Sequence, residues 1–130
     1  MSPRPVAFGQ TCHDARGAMA QLTHLDLDDN QIGDNGMLAF SSAIAGGALV
    51  SIEKLNLSGN QIGDVGLYSF STALAGGALA QCKELFLGAN KIGDAGMEAF
   101  SGALATGALA SVTTFTLHLN QISDAVKKVL

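Results

Sequence analysis

The sequence is poor in charge and in the residue types that build metal, disulfide or nucleic-acid sites. Only 14% of its 130 residues are charged, tryptophan is absent, and there are two cysteines. The seven basic residues are scattered, so the dense basic stripe that a phosphate backbone requires is missing and we expect no nucleic-acid partner. Two cysteines do not make a disulfide framework, and this favours an intracellular, cytoplasmic setting.

Long apolar runs are lacking as well. No uninterrupted apolar stretch reaches the roughly 18 residues that a membrane span needs, so we expect no contact with a membrane. Residues 1–10 do not contain the continuous apolar segment of a secretory signal. Hydrophobic residues nevertheless make up 48% of the chain, which predicts a single folded domain with a core of small and medium side chains.

A repeat of 30 residues organises this apolar content. The tetrapeptide at 31–34, Gln-Ile-Gly-Asp, returns at 61–64, returns with Lys91 in first place, and returns in altered form at 121–124. Within each period lies the pattern LxxLxLxxN, with apolar residues at the first three fixed positions and asparagine at the last. Its four copies occupy residues 22–30, 52–60, 82–90 and 112–120.

This pattern resembles the leucine-rich-repeat family. The period, the following IGDxG and the alanine-rich second half resemble its ribonuclease-inhibitor subtype, which also occurs in NOD-like receptors and Ran GTPase-activating protein. The resemblance covers about residues 20–124. It implies an α/β solenoid, an arc of a horseshoe with about four parallel strands on the concave face, helices on the convex face and 30-residue repeats.

The residues of one repeat independently favour this unit. Leu25 and Leu27 alternate with Asp26, which predicts a short strand with one buried face. Asp34 is a good N-cap for a helix, and the glycine pair at 46–47 is typical of a helix end. Because helices are wider (about 10 Å) than the strand spacing (about 4.8 Å), stacked repeats must curve.

We therefore expect one leucine-rich-repeat domain over residues 1–130. Residues 1–20 are predicted to form a degenerate N-terminal cap, and three repeats follow at 21–50, 51–80 and 81–110. Residues 111–130 are predicted to be a partial repeat with a short C-terminal helix.

The repeated polar and aromatic residues are interpreted as structural. The asparagines should satisfy backbone groups where the chain leaves each strand, and the phenylalanines should form a core spine. Cys82, at the first apolar position of its repeat, should be buried and inert. The asparagines are Asn30, Asn60, Asn90 and Asn120, and the phenylalanines are Phe40, Phe70 and Phe100.

Three segments resemble a calcium, metal or catalytic site, but their spacing does not suit that chemistry. The acidic segment 26–30 departs from a calcium loop at its sixth and twelfth positions, which hold Gln31 and Met37. A metal site at His24, Asp26 and Asp28, which alternate onto one face of the predicted strand, is disfavoured because successive same-face residues lie nearly 7 Å apart. The contiguous triplet 12–14, Cys-His-Asp, does not suit a catalytic triad, because adjacent side chains point in different directions. We expect no enzyme activity and no cofactor.

The candidate site is the concave face, where positions vary while the framework stays fixed. Phe86 stands out as an exposed aromatic residue, Gly88 beside it leaves space for a partner, and Lys54 is expected to pair with Glu84. The candidate partner-binding residues are His24, Asp26, Asp28, Lys54, Asn56, Ser58, Glu84, Phe86, Thr114, Thr116 and His118.

The leading hypothesis is a module that binds another, unidentified protein through this face, and self-association is possible. The face is only about 15–20 Å wide, which is small for an interface of about 800 Å² per partner. The resemblance also leaves open a regulatory module of GTPase-activating type. A third alternative is a structural repeat fragment without a specific partner.

Overall fold

The computed structural model describes residues 20–122, in which a strand–helix unit repeats along the chain. The elements in order are β1 (His24–Asp26), α1 (Gly33–Ala45), β2 (Lys54–Asn56), α2 (Asp64–Ala75), β3 (Glu84–Phe86), α3 (Asp94–Ala105) and β4 (Thr114–Thr116). The expected cap before residue 20, the triplet 12–14 and the expected C-terminal helix lie outside the described residues. In the span that is described, no helix is long and apolar enough to cross a membrane.

The four strands form one parallel sheet in the order β1-β2-β3-β4. Leu25 pairs with Leu55, Leu55 with Leu85, and Leu85 with Phe115, so each neighbour lies 30 residues further along the chain. This register confirms the predicted α/β solenoid with parallel strands and 30-residue repeats. We call the solvent-facing side of the sheet the concave face and the outer side of the helices the convex face.

The core lies between the sheet and the helices. Ile52, Leu55 and Leu57 of the second repeat are fully buried between neighbouring repeats, and each buried side chain of this kind contributes roughly 1.5–3 kcal/mol. Phe40 and Phe70 stack with their ring centroids 6.3 Å apart. Burial of the repeated phenylalanines confirms their assignment to the core, and Phe100 stacks on the strand residue Phe115 at 5.2 Å.

The helices end where the sequence predicted. Each of the three ends at an alanine, and α1 is followed by the glycine pair 46–47. The N–H of Gly47 donates to the carbonyl of Ile44, and Gly47 has a φ of +103°, a conformation that glycine adopts without the steric cost of a side chain.

The prediction that Asp34 caps its own helix is wrong. Asp34 lies inside the first turn of α1 and makes no cap bond there. Its Oδ1 instead accepts hydrogen bonds from the N–H groups of Gly63 (2.7 Å) and Gly66 (2.9 Å), at the start of the next helix. A Cβ at Gly66 would come within 2.6 Å of this oxygen, so only glycine lets the carboxylate approach so closely. The recurring IGDxG motif therefore joins successive repeats, and Asp64 makes the same two bonds to α3.

The asparagines also link successive repeats. Asn60 Oδ1 accepts from the N–H of Asn30 (2.8 Å), and Asn60 Nδ2 donates to the carbonyls of Leu27 (2.9 Å) and Leu57 (3.0 Å). Asn90 makes the equivalent bonds one repeat later, and both side chains are buried. The structural interpretation of this asparagine ladder is confirmed, because the bonds satisfy backbone groups that the strands leave unpaired.

Candidate functional site

The strand register brings the predicted site residues onto one surface, the concave face. His24, Lys54, Glu84 and Thr114 are neighbours across the four strands and form one row. The second row is Asp26, Asn56, Phe86 and Thr116. The third row lies just beyond the strands and contains Asp28, Ser58, Gly88 and His118, where backbone hydrogen bonds continue the alignment between repeats.

Phe86 and Lys54 form the central contact of this face. Lys54 Nζ lies 5.6 Å from the centroid of the Phe86 ring, within the range of a cation–π interaction. The expected Lys54–Glu84 ion pair is therefore wrong, and the ion pair that the described residues do contain joins Lys83 and Glu53 at 3.9 Å. Both partners of that pair are largely exposed to solvent, so it adds little stability.

The expected space beside Phe86 is already filled. A Cβ built on Gly88 would meet the His118 ring, whose Cε1 would be 2.5 Å away. Gly88 is thus buried by the histidine of the next repeat, and Phe86 itself is half-buried rather than exposed. On the same side, the hydroxyl of Thr116 is buried and has no hydrogen-bond partner within residues 20–122. The gap that the sequence predicted at Gly88 is therefore occupied by the His118 ring.

Asp26 and Asp28 form a hydrogen-bonded carboxyl pair at the first-repeat end of the face. Their side chains share a hydrogen bond, which lowers the pKa of Asp26 and raises the pKa of Asp28. The N–H of Asp28 also donates to Asp26 Oδ1 at 3.2 Å, and this turn brings the two carboxyl groups together. The expectation that the strand spacing would keep these groups apart is wrong, because Asp28 lies beyond the end of β1.

Other groups on the described residues offer little for chemistry. Between residues 20 and 122, no set of three or more histidine, cysteine, aspartate or glutamate side chains is gathered so that it could hold a metal. Burial raises the pKa of the Cys82 thiol to about 11, and its Sγ lies 3.4 Å from the Glu84 carbonyl. The predicted burial of Cys82 is confirmed, and a protonated thiol is a poor nucleophile at neutral pH.

The convex face carries a feature that the sequence analysis missed. Leu38, Val65 and Tyr68 are 44%, 60% and 64% exposed on the outer sides of α1 and α2. A groove of about 410 Å³ runs between these helices, with Leu38 and Tyr68 among its lining residues and Ser41 beside them. The aligned positions 38, 68 and 98 hold leucine, tyrosine and glutamate, so the difference between repeats was visible in the sequence.

Comparison with known proteins identifies the family. A sequence model described as "Leucine Rich repeat" matches residues 19–41, 49–71 and 83–101, half of the chain. The chain belongs to the leucine-rich-repeat family. Its repeats superpose on the structure of leiomodin-1 actin-binding site 2 with a TM-score of 0.74 and 18% identity, over 97% of this chain and 71% of that one.

A second solved structure is less similar. An internalin from Listeria monocytogenes matches with a TM-score of 0.43 and 24% identity, covering 82% of this chain and 31% of the internalin. A TM-score of this size does not establish a shared fold. No curated protein sequence matches the chain.

Proposed function

We propose that this chain is a protein-binding leucine-rich-repeat module whose concave face contacts the partner. The observation that carries the proposal is Phe86, an aromatic side chain at the centre of a row whose other members are polar. Aromatic anchors in a polar surround dominate the free energy of many protein interfaces. Lys54 on its ring and Thr116 beside it hold Phe86 in a defined place, which lowers the entropy lost on binding.

The arrangement of the repeats also supports this function. The framework residues are occupied in stacking one repeat on the next, and the rows of the concave face are free to differ. Curved solenoids present such extended surfaces to their partners. The leiomodin-1 structure, which resembles this chain in fold alone, is that of an actin-binding site, and this makes actin a convenient first probe. The GTPase-activating alternative has no residue-level motif in its favour, so we do not propose it.

We also propose the subtype of the repeat, a single continuous domain and an intracellular location. The 30-residue interval, with a full helix in each of the described repeats, supports the ribonuclease-inhibitor-like subtype. The uniform strand register supports one continuous domain. The scarcity of cysteine is compatible with an intracellular location.

Capture of binding proteins from a cell lysate on the immobilised chain, read by quantitative mass spectrometry, tests the concave face. The matched variant is Phe86→Asn, because Asn56 occupies the same position one repeat earlier. The control is Val50→Ala, at an exposed turn position where the next repeats carry Ala80 and Ala110.

We expect proteins that bind wild type and Val50→Ala equally and bind Phe86→Asn about tenfold or more weakly. Purified actin is assayed in parallel with the same three proteins. Equal capture by all three proteins, or no specific capture by wild type, would contradict the proposal.

A further inference from the structure

The outer sides of the three helices are almost free of charge. Four positions on each helix are exposed, spaced three or four residues apart, and Glu98 is the one charged residue among these twelve within residues 20–122. The exposed positions are Asn35, Leu38, Ser42 and Ala45 on α1, Val65, Tyr68, Thr72 and Ala75 on α2, and Ala95, Glu98, Gly102 and Ala105 on α3. The whole chain is only 14% charged, so what sets this face apart is its exposed apolar side chains: it carries three of the five large ones between residues 20 and 122.

Its apolar residues are concentrated at the middle helix. Val65 and Tyr68 lie one helical turn apart on α2, and Leu38 of α1 lines the groove of about 410 Å³ together with Tyr68. A curved stack that meets a flat or curved surface with its convex side touches first at the middle. The most exposed apolar side chains of the convex face are therefore placed at its point of first contact.

We infer that two copies of this chain pair back to back through their convex faces. A two-fold interface requires a patch that is complementary to itself, and an uncharged patch meets its own copy without like-charge repulsion. In such a pair the exposed ring of Tyr68 in one copy would enter the groove between α1 and α2 of the other.

The dimensions of the face set the expected strength of this dimer. Helices of about 12 residues are about 18 Å long, and three of them side by side span about 25–30 Å. The projected area of about 500 Å² is below the roughly 800 Å² per partner of a standard stable interface. The expected dissociation constant is therefore on the order of micromolar rather than nanomolar.

Back-to-back pairing leaves both concave faces free and directs them away from each other. A dimer of this kind presents two copies of the proposed partner-binding face, so a partner with two sites would bind with avidity. The pairing itself does not depend on the concave face having a partner.

Sedimentation velocity over about 1–500 µM protein tests the pairing, since this range brackets a micromolar dissociation constant. Wild type should rise from the monomer mass of 13.2 kDa towards twice that value. Tyr68→Glu introduces the residue that α3 carries at the equivalent position 98, so the fold tolerates it, and it should weaken the dimer at least tenfold. Tyr68→Ala should also weaken it, without adding charge.

Two further variants complete the design. Glu98→Leu introduces the residue of position 38 and should strengthen the dimer severalfold, because it removes the charge from the face. Phe86→Asn should leave the dimer unchanged, which separates this inference from the proposed concave site. A wild-type chain that stays monomeric over the whole range would overturn the inference. So would a dimer that is indifferent to both Tyr68 variants, or one that is lost in Phe86→Asn.

Discussion

Replacing Asn60 with alanine tests how much of the stability comes from the asparagine ladder. The side chain of Asn60 is fully buried and its Oδ1 accepts from the N–H groups of Asn30 (2.8 Å) and Ile32 (3.4 Å). Its Nδ2 donates to the carbonyl of Leu27 at 2.9 Å. Alanine would leave these three backbone groups without their side-chain partner.

The other two carbonyls that Asn60 contacts would keep donors from elsewhere. Leu57 also accepts from Asn90 Nδ2 at 3.1 Å, and Ser58 accepts from the N–H of Asp29 at 2.9 Å. Each unsatisfied buried group costs about 1–3 kcal/mol, and partial access of water to the first-repeat loop reduces the cost there. We expect Asn60→Ala to lower the free energy of unfolding by about 3–5 kcal/mol, a large part of the roughly 5–15 kcal/mol of an ordinary domain.

Asn30→Ala is the matched control, because Asn30 has the same place in the first repeat. Its side chain is exposed, and its Nδ2 donates to the carbonyl of Asp28 at 3.0 Å. Since water can replace that partner, the expected loss is below about 1 kcal/mol. Guanidinium unfolding followed by circular dichroism measures both values, with the m-value checked for loss of cooperativity. Equal losses in the two variants, or a loss below about 1 kcal/mol for Asn60→Ala, would refute this account of the ladder.

Three further predictions concern single side chains. Asp34→Ala should lower the free energy of unfolding by about 1–2 kcal/mol, because the next helix loses its cap. Asp34→Asn should lower it less, because the amide oxygen still accepts a hydrogen bond. Equal losses for the two variants in denaturant titrations would contradict this prediction. Ser71→Ala should raise stability by about 1 kcal/mol, because it removes a buried hydroxyl that has no partner within the described residues; a loss would count against it. Asp28→Ala should raise the pKa of Asp26 towards its ordinary value, and Asp28→Asn should keep it low through an amide donor, as carboxyl NMR titration would show. Because the pKa of Asp26 is lowered in the folded protein, its stabilising contribution is present above the ordinary carboxyl pKa and is lost as pH falls through the lowered value. The pKa of Asp28 is raised, so its stabilising contribution is present below the ordinary carboxyl pKa and is lost as pH rises through the raised value.

The repeat made most of the fold predictable from the sequence. Positions such as Leu55 and Asn60 recur because every repeat must bury the same face and satisfy the same backbone groups, so periodicity alone assigns them. The partner of Asp34 was not predictable in this way. Its carboxylate is a good cap by type, but only the packing of α1 against α2 shows that it caps the following helix. The repeat predicts which residue recurs and at what interval, but it does not predict whether the carboxylate caps its own helix or the next one.

The concave and convex faces were harder to predict because they depend on where the repeats differ. The space beside Phe86 depended on the rotamer of His118, and the partner of Lys54 depended on competition between Glu84 and an aromatic ring. Both are small differences between side-chain conformations, which no spacing rule contains. Tyr68 is a different case, because its column of leucine, tyrosine and glutamate could be read directly.

In a solenoid the stacking free energy fixes the framework residues and leaves the outward columns unconstrained, so a bulky apolar residue in such a column costs nothing in the fold. It does cost solubility if it stays in water. Phe86 reduces that exposure within its own chain, since Lys54 covers its ring and the residue is half-buried. Tyr68 and Val65 remain more than half exposed, and the column position of Tyr68 accepts glutamate one repeat later. Glutamate fits at this position and tyrosine is found instead, so contact with another surface is the physical reason for the aromatic residue. The exposure of Tyr68 therefore favours an interface on the convex face, whether or not the concave face has a partner.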